Sequence, residues 1–160
     1  MIISNTQNIV KIKKSSIKKL INSLKQANNN MSRYLVHISA KDLIQEMIIA
    51  FTDKTLIAPN RLKGKTQTLN IISGKIKIII FENNGKVKEK FIMTPFSKKD
   101  NNPFLFRFNK CDWHTMISLS KNSVVHEALQ GPFQKTNTKN PNWIPKEKIE
   151  LKTYLSKYIR

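Results

Sequence analysis

The chain has 160 residues, a single cysteine and a formal net charge of +19. That length suits one domain with a hydrophobic core of its own, and no apolar run approaches the ~20 residues of a membrane helix. The lone Cys111 excludes an internal disulfide framework and a cysteine-rich zinc site.

Only four of the 29 basic residues are arginine: Arg33, Arg61, Arg107 and Arg160. The charge has two readings. One is attraction to an anionic partner such as nucleic acid, a membrane surface or a phosphorylated metabolite. The other is the Lys-, Asn- and Ile-rich composition of an AT-rich genome. The lysines are dispersed and no arginine-rich tract exists, which favours composition and disfavours a nucleic-acid partner.

Residues 1–14 hold no signal-peptide apolar region ahead of their lysines, so a cytoplasmic protein is expected. Ile17, Leu20, Ile21 and Leu24 then follow helical spacing, with Ser15 or Ser16 as N-cap and Asn28–Asn30 as the end. The helix either lies on the domain or acts as a basic membrane-surface helix. From Met31 to Gln130 the pattern changes to short strands near 33–37, 43–51, 54–58, 67–73, 75–82, 86–93, 104–108, 113–119 and 123–130. Asn84-Gly85 predicts a hairpin turn with positive backbone angles. Ile76, Ile78 and Ile80 share one face of a buried strand. Many short strands with turn punctuation predict a sandwich or small barrel. After Gly131-Pro132 the chain is irregular. Pro145 and the spacing of Leu151, Tyr154, Leu155 and Tyr158 predict a closing helix. The expected organisation is an N-terminal helical segment over 1–30, a β-barrel over 31–133 and a C-terminal extension with a helix over 134–160.

The stretch Pro59-Asn60-Arg61-Leu62-Lys63-Gly64-Lys65-Thr66-Gln67-Thr68, followed by Gly74, resembles the first motif of cupins. That motif has two histidines one residue apart, a glutamate and a strand-ending glycine. Asn60 and Leu62 stand at the histidine positions, Gln67 at the glutamate position and Gly74 at the glycine. Trp113-His114-Thr115 resembles the second motif, which supplies a further histidine. His37, Gln45, Ala50, Pro59, Lys65, Gly74, Phe81, Asn84-Gly85, Trp113-His114-Thr115, Glu127, Gly131-Pro132-Phe133 and Trp143 near Pro145 fall in the order of the WbuC-type cupin metalloproteins. The resemblance covers residues 30–147. It implies a mainly β, cupin-type barrel or jelly roll with N- and C-terminal helices. It also implies a link to bacterial surface-polysaccharide gene clusters.

The metal ligands of that family are mostly absent. Leu62 has no donor atom, Asn60 and Gln67 offer neutral amides, and His114 alone is a good ligand. Replacement donors would be Cys111 or His126, each of which has a structural reading as a loop or core thiol and a strand residue. No cofactor is therefore expected, and a divalent transition metal is the exception to look for. The expected ligand pocket comprises Asn60, Leu62, Gln67, His114, Arg61, Trp113 and His37. His37 can instead fill the barrel, Trp113 can be packing, and Arg61 and Arg107 can be surface residues. His126 and Glu127 are strand neighbours, so they face opposite sides and form no dyad. No phosphate-binding glycine loop, nucleophile elbow or zinc helix motif occurs. The leading expectation is a cupin that binds a small polar or anionic ligand, such as a sugar or nucleotide sugar, in surface-polysaccharide biosynthesis. The first alternative is a sugar-modifying, isomerase- or epimerase-like enzyme using His114 as catalytic acid or base, or an atypical metal site. A basic nucleic-acid-binding protein is the second. A homodimer is compatible with a barrel of this kind.

Overall fold

The computed structural model describes residues 1–159; Arg160, the end of the expected C-terminal extension, lies outside the described residues. The elements are β1 (Ile2–Ile3), α1 (Lys14–Asn22), β2 (Met31–Leu35), β3 (Ile44–Thr52), β4 (Arg61–Leu62), β5 (Gln67–Ser73), β6 (Ile76–Phe81), β7 (Val87–Met93), β8 (Leu105–Phe108), β9 (Trp113–Ser118), β10 (Asn122–Gln130), β11 (Thr138–Lys139) and α2 (Lys148–Ser156). A six-stranded sheet runs β1-β2-β3-β10-β5-β8, a three-stranded sheet β7-β6-β9, and β11 pairs with β4. All pairings are antiparallel except β1 with β2. The result is a mainly β, cupin-type jelly roll with one helix toward each end of the chain.

Period-two alternation sorts the side chains into three layers. Between the sheets lie Ile49 and Phe51 of β3, Leu69 and Ile71 of β5, Val125 and Leu129 of β10, and Ile76, Ile78 and Ile80 of β6. The opposite face of β3 and β10 carries Ile48, Ala50 and Val124, which Leu20 of α1 and Leu24 just beyond it cover. The opposite face of β6 and β9 carries Ile79, Phe81, Trp113 and Ile117, covered by Leu155 of α2. β6 is thus buried on both sides, which is why Ile79 breaks the expected apolar–polar alternation. Each fully buried Leu, Ile or Phe contributes about 1.5–3 kcal/mol, so the helices hold the outer faces dry and leave the interior to set the site.

Several local expectations need correction. Residues 54–58 form no strand: Asp53-Lys54 is a turn and 55–58 are irregular. The Thr52 N–H donates to Thr55 Oγ1 at 3.0 Å, and the Thr55 hydroxyl donates to the Asn30 carbonyl at 2.6 Å. The first bond is local and the second reaches a distant carbonyl, and together they override the β-propensity of Thr-Leu-Ile. The N-cap of α1 is Lys13, with Ser16 three residues on accepting the Lys13 N–H at 3.3 Å. α1 ends at Asn22 and continues as a 3-10 turn over Ser23–Gln26, ahead of Asn28–Asn30. β1, β4 and β11 are short strands that the pattern missed, and β1 adds a strand to the segment expected to be only helical.

At the β6–β7 hairpin only Gly85 is left-handed, with φ of 88°. The Gly85 N–H donates to the Glu82 carbonyl at 3.1 Å, and the Lys86 N–H to Asn84 Oδ1 at 2.9 Å. The two-residue Asn-Gly turn is therefore replaced by a longer loop with a register shift behind it. Gly74, at φ of 87°, turns β5 into β6, where a Cβ would sit 2.6 Å from the Asn122 carbonyl oxygen.

Candidate functional site

A cavity of about 660 Å³ opens inside the jelly roll. Its volume falls in the ~300–1,000 Å³ range of ligand pockets. Asn60, Leu62, Gln67, His114 and His37 line it. Two main-chain bonds hold Asn60 against His114: each residue's N–H donates to the other's carbonyl at 3.0 Å. β9 pairs with β6 so that His114 lies opposite Ile80 and Met116 opposite Ile78, on the interior face.

Hydrogen bonds decide which atoms the cavity presents. His114 Nδ1 lies 2.9 Å from the Asp112 carbonyl oxygen. A carbonyl only accepts, so Nδ1 carries the proton and Nε2 presents a lone pair. Burial lowers the His114 pKa, against the raising effect of the Asp112 carbonyl bond and charge, and this keeps the ring neutral. The Asn60 amide nitrogen donates to the Ala58 carbonyl at 3.0 Å. Gln45 donates through its amide nitrogen to the carbonyls of Ser39 and Asp42, both at 2.9 Å. Asn140 donates to the Pro59 carbonyl at 2.9 Å. Gln45 thereby uses both of its amide N–H groups and keeps its oxygen as an acceptor, whereas Asn60 and Asn140 each keep one N–H beside a free oxygen.

Gln67 behaves differently. Its amide nitrogen donates to Glu127 Oε1 at 2.7 Å, and its amide oxygen accepts from the Cys111 thiol at 3.2 Å. The register explains the first contact: β10 places Glu127 opposite Leu69 and Leu129 opposite Gln67, so Gln67 and Glu127 are diagonal neighbours on one face. Burial raises the Glu127 carboxyl above its ordinary range, opposed by the Gln67 bond and then by the charge of Arg33. Burial likewise pushes the Cys111 thiol up to about 11, so it is no thiolate at neutral pH.

The motif positions offer a poor donor set for a metal. Leu62 has no donor, both ends of the Gln67 amide are bonded, and His114 offers one nitrogen. His126 faces the other side of β10, with Nε2 2.6 Å from Glu46 Oε1. Cys111 Sγ lies 3.6 Å from His114 Nδ1, the nitrogen already bonded to Asp112. Among the described residues, no three His, Cys, Asp or Glu side chains gather into a group that could hold a metal ion.

Two expected pocket residues lie elsewhere. Alternation turns Trp113 away from His114 and into the cluster under α2. Its indole nitrogen donates to Asn83 Oδ1 at 3.1 Å, and the Arg61 guanidinium stacks 4.0 Å above its ring. Neither residue is among those lining the cavity. Arg107 bonds Thr68 and Asn109 on an exposed surface. Conversely, Arg33, Gln45, Glu127 and Asn140 line the cavity and were not in the expected pocket. Gln45 and Glu127 stood in the family spacing, and alternation with Met47 and Leu129 placed them on the interior face. For Arg33 and Asn140 the sequence held no such signal.

A family model described as a domain of unknown function (DUF6016) matches residues 12–93, just over half of the chain. No curated protein matches the sequence. Similar solved structures include protein SO0799 from Shewanella oneidensis, with a TM-score of 0.60 and 11% identity over 77% of this chain and 82% of that one. CapF, solved with the inhibitor 3-isopropenyl-tropolone, has a TM-score of 0.57 and 13% identity over 72% of this chain and 32% of its own. KdgF from Halomonas sp. has a TM-score of 0.50 and 14% identity over 67% and 83%. At these identities the likeness is one of fold.

Proposed function

The chain belongs to the DUF6016 family, whose description assigns no activity, and we propose from the cavity itself that it binds a hydroxyl-rich small molecule, a sugar or nucleotide sugar, without a tightly held metal. The observation that carries this reading is the polarity of the lining. Asn60, Gln45, Asn140 and His114 each donate to a main-chain carbonyl and turn an acceptor loose. Polar groups rich in acceptors, set among apolar lining residues, are complementary to sugar hydroxyls, and a mismatched partner would leave a buried acceptor unpaired at a cost of about 1–3 kcal/mol. The resemblance to WbuC-type proteins supports a place in bacterial surface-polysaccharide biosynthesis. The dispersed lysines, with no arginine-rich tract, favour composition over a nucleic-acid partner.

The test is ligand-observed NMR with a panel of hexoses and uridine-diphosphate hexoses. The wild-type chain, Asn60→Leu and His114→Leu are compared, each checked for an unchanged melting profile. Binding by the parent with about tenfold weakening in each variant is expected, the scale of one lost hydrogen bond to a buried acceptor. Absence of binding across the panel, or binding indifferent to both substitutions, refutes the reading. A second reading, that His114 moves a proton on the bound sugar, is favoured by its neutral ring, whose Nδ1 is bonded to the Asp112 carbonyl and whose Nε2 keeps a lone pair. Solvent deuterium entering a bound sugar at carbon is its measurable sign.

A further inference from the structure

Arg33 is the one Lys or Arg among the described residues that line this cavity, and its charge acts on the buried Glu127 carboxyl. It lies on β2 opposite Ile49 of β3, and its half-buried side chain lines the cavity. Neither ion pair formed by the described residues includes it, and no described side chain or carbonyl bonds its guanidinium. A guanidinium presents a planar fork of donors, and left unpaired beside a cavity it is positioned for an anion. Its donors also contrast with the rest of the lining, where Asn60, Gln45, Asn140 and His114 present acceptors.

We infer that the ligand is a sugar carrying one carboxylate, a hexuronate-type acid, whose carboxylate docks on Arg33 while its hydroxyls face the acceptors around His114 and Asn60. The inference rests on the sugar-binding reading and specifies it. The count of charges argues for a carboxylate over a phosphate. Among the described residues, Arg33 is the only Lys or Arg in the cavity lining. One guanidinium balances a single negative charge. A phosphate dianion would bring a second ligand charge that no other described Lys or Arg of the lining meets. β2 and β10 flank β3 in the sheet, so the anion anchor and the Glu127–Gln67 pair sit on different strands of one concave face. A ring bridging them would be held at both ends.

The experiment compares matched neutral and acidic sugars: glucose with glucuronate, galactose with galacturonate, mannose with mannuronate, and glucose 6-phosphate as the phosphate arm. Dissociation constants are measured by ligand-observed NMR for the parent, Arg33→Gln and Arg33→Lys, with melting curves for each. In at least one pair the parent should favour the hexuronate by about tenfold or more, the scale of a bidentate charge-assisted contact. Arg33→Gln should weaken the hexuronate far more than its neutral partner and so remove the preference, and Arg33→Lys should restore part of it. Equal binding of neutral and acidic sugars overturns this inference and leaves the sugar-binding reading standing. Tighter, Arg33-dependent binding of glucose 6-phosphate overturns the carboxylate assignment. Binding of no sugar of either kind overturns both.

Discussion

Replacing Gln67 by leucine removes two hydrogen bonds at once from the cavity wall. The Glu127 carboxyl loses its donor at 2.7 Å, and the Cys111 thiol loses its acceptor at 3.2 Å. Gln67 and Glu127 are 4% and 8% exposed, so water replaces those partners poorly. Leaving a buried polar group unmatched costs about 1–3 kcal/mol, whereas replacing both partners by apolar groups of similar shape is close to neutral. Gln67→Leu should therefore lose about 2 kcal/mol, a melting drop of roughly 4–8 °C for a domain of this size. The double variant Gln67→Leu with Glu127→Leu should recover most of it. Thermal unfolding of the parent, both single variants and the double variant by circular dichroism closes the cycle. A coupling of about 0.5–3 kcal/mol is expected for residues in contact, and additivity within ~0.5 kcal/mol would refute the claim that Gln67 serves Glu127.

Because burial raises the Glu127 carboxyl from its ordinary 4.5, the folded state binds that proton more tightly than the unfolded chain. Its stabilising contribution is complete below about 4.5 and is lost as pH rises through the folded value. Glu127→Gln should remove that fall, so its urea midpoint should gain on the parent's as pH rises, and parallel curves would contradict the assignment. Asn60→His, Leu62→His and Gln67→Glu together should build a site of three imidazoles and one carboxylate around His114, read by transition-metal titration against the parent. A folded triple variant that binds no better than the parent would show that the four positions do not converge. Leu155→Ala should cost about 2–5 kcal/mol by opening the cluster that seats α2 on Phe81 and Trp113. A change in tryptophan fluorescence should accompany the loss, since Trp143 packs in the same cluster.

The strands were legible because their residues are two-faced. Ile76, Ile78 and Ile80 against Ile79 and Phe81 state both sides of β6, and the structure uses both. Leu20 and Leu24 announced a helix whose apolar face needed a sheet to cover. What failed was local: the Thr55 hydroxyl bonds a distant carbonyl, and no propensity rule contains Asn30. At the cavity, motif spacing brought Asn60, Leu62, Gln67 and His114 to one place, while the same alternation put Trp113 and Arg61 outside it. Glu127 was discounted as a partner for His126, correctly on strand geometry, yet its partner across the sheet was Gln67. That pairing needs the register of β10 against β5, which no local pattern encodes. Arg33 differs from Arg61 and Arg107 only in where its strand sits, so its significance appears only once β2 is seen to border the cavity.

The most direct test of the central claim is a crystal structure of the chain soaked with the tightest-binding sugar from the panel. Ordered density should fill the 660 Å³ cavity, with sugar hydroxyls in hydrogen-bond reach of His114 Nε2 and the Asn60 amide oxygen. Sugar density on the outer surface of the protein, with only water inside the cavity, would contradict it.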